Sequence, residues 1–120
     1  MNATITWIDA RHANPPEGYP VLAAATGRYS TDDGQPPSPA QDFWLVIPMH
    51  FEHVHVVEGT DQIVRDCYLD IDGVVRKPLG AGSAEQVTHW AALPPLPGTS
   101  ATLLQGATVA PAITAATSSA

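Results

Sequence analysis

Proline and glycine divide this chain so finely that few stretches approach 15 residues free of both. Twelve prolines and nine glycines among 120 residues argue against long helices, because proline removes a backbone donor and glycine loses the most chain entropy on ordering. What lies between them is a set of short β-branched and aromatic runs bounded by turns, the pattern of strands that pack one face on a core. These predict strands over 4–8, 20–25, 43–49, 51–57, 64–71, 74–77 and 87–91. A chain of this length supplies one domain, and its 44% hydrophobic residues suffice for a core. The expected fold is mainly β (or β-rich α+β). It is a small single-domain antiparallel sheet with short turns, curled around Trp7, Trp44 and Trp90.

Local signals refine that expectation. Asp72-Gly73, set between Leu69-Asp70-Ile71 and Val74-Val75, predicts a hairpin whose two central residues both adopt positive φ. Ser83-Ala84-Glu85-Gln86 has the capping-box pattern and predicts one helical turn before the last strand. Alternation along that strand places Val87, His89 and Ala91 on one face and Thr88 and Trp90 on the other. Trp90 is expected to be buried and His89 partly exposed. Thr26 to Asp42 is rich in Gly, Asp and Pro and reads as a long surface loop. Beyond Pro97 the chain turns to Gly, Thr, Ser and Ala, with too little apolar surface to offset its own ordering. Residues 1–97 are therefore the β-rich domain, and 98–120 a flexible C-terminal tail.

Charge narrows the partners. Five basic and 12 acidic residues give a formal net charge of −7, which repels a phosphate backbone and disfavours general nucleic-acid binding. Mimicry of DNA would want dense carboxylate rows, and the acids here are scattered. Cys67 is the only cysteine, so no intrachain disulfide forms and a reducing compartment fits. No basic segment followed by an apolar stretch opens the chain, and no run reaches the ~18 apolar residues of a membrane span. The expected location is the cytoplasm. Self-association is compatible with this composition, but no heptad pattern sets a number of copies.

Histidines are the best candidates for chemistry. His50-Phe51-Glu52-His53-Val54-His55 places three of the five in six residues. On a strand His53 and His55 share a face about 7 Å apart, the arrangement of a His-x-His zinc pair. His89, Asp66 or Cys67 would have to supply a third ligand, and no His-Glu-x-x-His or Cys-x-x-Cys accompanies the pair. Asp70-x-Asp72-Gly73 resembles the centre of a calcium loop, but Tyr68 and Leu79 stand where its end ligands belong. Gly80-Ala81-Gly82-Ser83 lacks the Gly-Lys-Ser/Thr ending of a phosphate loop, and the elbow of a serine nucleophile is absent. A Cys67–His89 thiolate pair is weaker than the reading of Cys67 as a small core residue. Pro36 to Pro39 and Pro94-Pro95-Leu96-Pro97 suit the polyproline conformation, the second run serving to stiffen the exit from the last strand.

Three segments carry a resemblance. They are Ile5-Thr6-Trp7-Ile8, the run from Pro15 to Leu22 (Pro-Pro-Glu-Gly-Tyr-Pro-Val-Leu), and Val87-Thr88-His89-Trp90 followed by Ala91-Ala92-Leu93-Pro94. Together they are similar to a family of small phage and prophage proteins, family 551 of the domains of unknown function. Its members open on Trp-Ile, pass through Pro-x-Gly-x-x-Val-Leu and close on Thr-His-Trp before Leu-Pro. That family often continues Arg-Leu-Pro after its first strand, whereas here Arg11 is followed by His12-Ala13-Asn14. The family has no established activity. The resemblance implies a phage or prophage context and transfers no site.

No acid–base or nucleophile constellation stands out, so binding without catalysis is expected, with no cofactor. The expected interaction surface combines Tyr29, Asp32 and Asp33 of the 26–42 loop with His53, His55 and His89. It would engage a host or phage protein or a small ligand in the host bacterial cytoplasm, counter-defence being one setting. A virion or assembly accessory using the tail as an arm is the alternative, followed by a metal-dependent enzyme centred on His53 and His55.

Overall fold

The computed structural model describes residues 2–29, 39–82 and 84–118. Its sheet has six strands: β1 (Ile8–Asp9), β2 (Pro20–Arg28), β3 (Asp42–Val56), β4 (Ile63–Leu69), β5 (Val75–Pro78) and β6 (Gln86–Ala92). Strands β2 to β5 form an antiparallel meander, and β6 pairs with both β2 and β5 to close a five-stranded barrel. Directions alternate around such a ring until an odd number of strands forces one like-directed pair. That pair is β5–β6, joined in parallel through Lys77↔Gln86 and Pro78↔Val87. The expected antiparallel sheet is thus present, with a single parallel seam where it closes. Strand β1 is an outer flap on β6, pairing Ile8 with Trp90.

The barrel interior combines small and large side chains. Ala23 and Ala25 of β2 are fully buried beside Phe51, Tyr68, Val87 and Trp90, and the alanines make room for the rings. Phe51 and Tyr68 meet edge to face with centroids 5.3 Å apart. Trp90 is 8% exposed, and its indole Nε1 donates to the Ala13 carbonyl at 2.9 Å, so its one polar atom is satisfied. Burial of a ring this large makes Trp90 a principal anchor, at about 3–5 kcal/mol on truncation to alanine.

Several expectations need correction. Of the three tryptophans only Trp90 is in the core; Trp7 and Trp44 are 42% and 67% exposed. The runs 43–49 and 51–57 are one continuous strand, β3. Pro48 does not break it, because β4 pairing begins only at His50↔Leu69, and proline is tolerated on a strand edge. The opening strand shrinks from 4–8 to Ile8–Asp9. In β6 the register advances from Ala24↔His89 to Ala25↔Val87, so Thr88 is an extra residue, a β-bulge. Strict alternation therefore fails: Val87 and Trp90 both face the core, while Thr88 and His89 between them are only half-buried.

Turns differ from expectation as well. At the β4–β5 hairpin only Gly73 has positive φ, and its amide donates to the Asp70 carbonyl at 3.1 Å. The Asp70 carboxylate accepts from the amides of Asp72 and Val74 at 2.9 and 3.0 Å, so a side chain organises the turn and Asp72 needs no unusual conformation. The predicted helical turn is absent: Ala84 and Glu85 form a bend, β6 starts at Gln86, and Ser83 lies outside the described residues. The 26–42 loop is shorter than expected, since β2 and β3 extend to the pair Arg28↔Asp42. That pair carries a salt bridge of 2.5 Å, and the Tyr29 amide donates to the Gln41 carbonyl at 2.9 Å.

The barrel belongs to a compact unit, Trp7–Ala92; the residues before Trp7 and after Ala92 form another. In the latter, Leu96 and Ala101 close a small turn through an amide–carbonyl bond of 2.8 Å. A 3-10 turn at Gly106–Thr108 leads into helix α1, Val109–Thr117. Alanine-rich composition and a proline in the first turn favour this helix locally. None of its residues is buried, in keeping with the apolar-poor tail read from composition.

Candidate functional site

The candidate site is on the outer surface of the barrel, where β6, β2 and β3 run side by side. An open groove of about 390 Å³ is lined by Trp7, Ala24, Trp44, Leu45, Val46 and His89. Its depth follows from sequence. Ala24 pairs with Val46 on one side and His89 on the other, so a methyl-sized floor lies between two rows of larger side chains. Trp44 reaches across β2, and its Nε1 donates to the Thr88 hydroxyl at 2.9 Å. The bulge at Thr88 places that hydroxyl and the His89 ring together on the outer surface.

Thr88 Oγ1 also stands 3.2 Å from the Ala24 carbonyl and 3.0 Å from His89 Nδ1. A hydroxyl has one proton and two lone pairs. All three partners are satisfied when it donates to Ala24 and accepts from the indole and from His89 Nδ1–H. In the neutral ring that arrangement leaves Nε2 as a bare acceptor. The groove thus combines an exposed but pinned indole, aliphatic walls and one imidazole, the mix of apolar lining and few polar groups that holds small ligands or side chains. Binding there costs little ordering of Trp44, because its orientation is already set.

The sequence-predicted residues do not form one patch. Tyr29 packs against Phe43 with tilted rings whose centroids are 4.8 Å apart and lines a second cavity of about 430 Å³ beside the β4–β5 hairpin. Asp32 and Asp33 lie outside the described residues. His53 and His55 do not share a partner: His53 Nδ1 meets Asp66 Oδ1 at 3.0 Å, and His55 Nδ1 meets Glu52 Oε2 at 2.9 Å. His89 sits across from Val46 through Ala24, and His53 lies seven residue steps along β3 from Val46, about 23 Å. Among the described residues no three His, Cys, Asp or Glu side chains gather as a metal would require, so the His-x-His reading lacks its third ligand. Cys67 is fully buried on β4, and burial pushes its thiol upward in pKa, away from the thiolate that a nucleophile needs.

The second cavity is built differently. Arg76 is 6% exposed and bonds Asp70 Oδ2 at 2.8 Å, with Glu85 Oε2 at 3.4 Å from its Nε. Its charge is compensated within the fold, which makes the group a structural clasp between β5, the hairpin and the start of β6. Trp7, Trp44, Leu45 and Val46 were missed as site residues because a tryptophan or aliphatic run reads as core. The uninterrupted apolar run Phe43–Ile47 was the available signal, since a strand with one solvated face should alternate.

Comparison of the chain with protein-family models, with curated proteins and with solved structures returned no match.

Proposed function

We propose that the protein is a small binding module of phage or prophage type that acts without catalysis, holding a host factor or small ligand in the Trp7–Trp44–His89 groove. The observation that carries this reading is Trp44, 67% exposed yet hydrogen-bonded to Thr88 over the Ala24 floor. An exposed indole fixed in place is an apolar platform ready for a planar or aliphatic group. The three-segment resemblance supports the phage context and, with it, the bacterial cytoplasm as the place of action. In this reading the groove replaces the 26–42 loop and the His50–His55 stretch as the contact surface.

The test is retention of a partner from bacterial lysate by immobilised wild-type protein, the Trp44→Ala/His89→Ala double variant and a deletion of residues 29–40. Loss in the double variant alone supports the groove. Retention by the double variant with loss on deletion returns the site to the loop. Turnover of any substrate by the purified chain overturns the non-catalytic reading.

A second reading, a virion or assembly accessory, draws on the helix α1, which has no buried residue, and on the exposed Leu103 and Ile113. It expects co-purification with particles and protection of residues 98–120 from protease there.

A further inference from the structure

Strand β3 is paired on both sides for only part of its length. From Asp42 to Met49 its neighbour is β2 alone, and pairing with β4 starts at His50. The Gln41 and Phe51 carbonyls accept from Tyr29 and Gly18, which flank β2 on the chain. Odd-numbered residues of β3 therefore turn their backbone groups toward β2, and no register shift interrupts that ladder. Alternation then points the N–H and C=O of Trp44 and Val46, and the C=O of Pro48, the other way. Among the described residues no strand receives them.

Such an edge is a template for another chain, and natural sheets blunt it with lysine, proline or a bulge. Here Phe43-Trp44-Leu45-Val46-Ile47 contains no charge, and the side chains of Trp44, Leu45 and Val46 are exposed. Only Pro48, at one end, is a blocking residue. The charge of Asp42 at the other end is matched by Arg28 at 2.5 Å, so the segment is locally neutral although the chain as a whole is acidic.

We propose that this edge pairs with the same edge of a second copy, antiparallel and about a two-fold axis through Leu45. In that register Trp44 faces the partner's Val46 and Val46 faces the partner's Trp44, and four backbone hydrogen bonds form between groups that already point outward. Asp42 then lies opposite the partner's Pro48, so no like charges oppose each other. Sliding the register by two places Trp44 opposite the partner's Pro48, which has no N–H to give, so each of those pairs makes one bond instead of two and Trp44 no longer faces the partner's Val46. An isologous contact of this kind closes at two copies and leaves no free edge in Phe43–Ile47. It also brings the partner's Val46 beside Trp44 at the rim of the groove.

Proline at position 46 is a selective probe, because the N–H it removes points away from β2 and the barrel does not use it. Sedimentation of the full chain over a range of concentrations is expected to show a monomer–dimer equilibrium. Val46→Pro and, independently, Val46→Lys should weaken it about tenfold or more, as expected for loss of two backbone bonds or for a charge placed on the edge. Amide exchange at Trp44 and Val46 should slow as wild-type concentration rises. A wild-type chain that stays monomeric overturns the proposal. So does a dimer that survives both substitutions, or one whose Trp44 and Val46 amides exchange at a concentration-independent rate.

Discussion

The indole of Trp44 and the hydroxyl of Thr88 join β3 to β6 across the full width of β2, at 2.9 Å. The contact exists because β6 bulges at Thr88. Without the extra residue a hydroxyl at this point would not share the outer surface with His89. Thr88→Val keeps the shape and removes the bonds to Trp44, His89 and the Ala24 carbonyl. The expected loss of stability is about 1–2 kcal/mol, since the half-buried node is left unpaired. The more telling change is local: exchange of the Trp44 indole N–H, read by NMR, should accelerate. An indole proton equally protected in the variant would mean that packing and not the hydroxyl orients the ring.

Asp70 and Arg76 form the most enclosed ion pair among the described residues, with side chains 9% and 8% exposed. Asp70→Asn leaves Arg76 with Glu85 alone, at 3.4 Å from Nε. Removing one partner of a buried pair costs about 3 kcal/mol or more, so the urea midpoint at neutral pH should fall clearly.

The same pair sets a pH dependence. Burial pushes the Asp70 carboxyl upward, but the hydrogen bonds from Arg76 and from the Val74 and Asp72 amides outweigh it, and its pKa lies below the usual carboxylate value. The folded form therefore binds this proton less readily than the unfolded chain does. Its contribution is complete above the unfolded value of about 3.9 and is lost as pH falls through the lower folded value. Wild type minus Asp70→Asn should show a stability difference that is constant near neutrality and shrinks only below about pH 4. A difference that shrank between pH 5 and 8 would point to a histidine instead.

Tyr68 is a buried residue whose hydroxyl has no hydrogen-bond partner among the described residues; burial alone drives its phenol far up in pKa. An unsatisfied buried hydroxyl is a liability. Tyr68→Phe should leave stability unchanged or raise it by up to about 1 kcal/mol, measured as a thermal midpoint. A loss of similar size would show that the hydroxyl is hydrogen-bonded in solution.

The fold was legible wherever local chemistry decided it. Short β-branched runs marked the strands, and the Asp72-Gly73 pair marked the β4–β5 turn, although the side chain that organises it is that of Asp70. What the pattern could not reveal was which side of each strand would be covered. The expected break between 43–49 and 51–57 falls at His50, where β3 in fact runs on without interruption and pairing with β4 begins. Val87-Thr88-His89-Trp90 reads apolar, polar, polar, apolar, which strict alternation cannot accommodate, and the bulge at Thr88 is what sends Val87 and Trp90 the same way. Trp44 has the composition of a core residue and becomes a surface platform because it stands on the outer face of the barrel, reaching over β2 to Thr88. The carboxylate partners of His53 and His55 differ because Glu52 and Asp66 come from different strands, which spacing within one strand cannot tell.

Asp66 offers a test of a strained position. It is the single non-glycine residue with positive φ among those described, at 50°, and it holds His53 at 3.0 Å. A left-handed conformation costs an ordinary residue about 1–2 kcal/mol, less for aspartate and asparagine, and nothing comparable for glycine. The His53–Asp66 contact is exposed on both sides, and even a fully charged exposed pair contributes only ~0–1 kcal/mol. Strain and pairing thus oppose each other with similar size, and two substitutions separate them. Asp66→Asn keeps tolerance of the conformation and removes the charge, so it should change stability by less than about 0.5 kcal/mol. Asp66→Ala keeps the strain, loses the side-chain bond and should destabilise by about 1 kcal/mol or more. Asp66→Gly should fall between them or exceed wild type, depending on how far strain relief outweighs the entropy that glycine adds to the unfolded chain. If Asp66→Asn is instead as damaging as Asp66→Ala in urea titrations, the carboxylate's bond to His53, and not the backbone, governs this site.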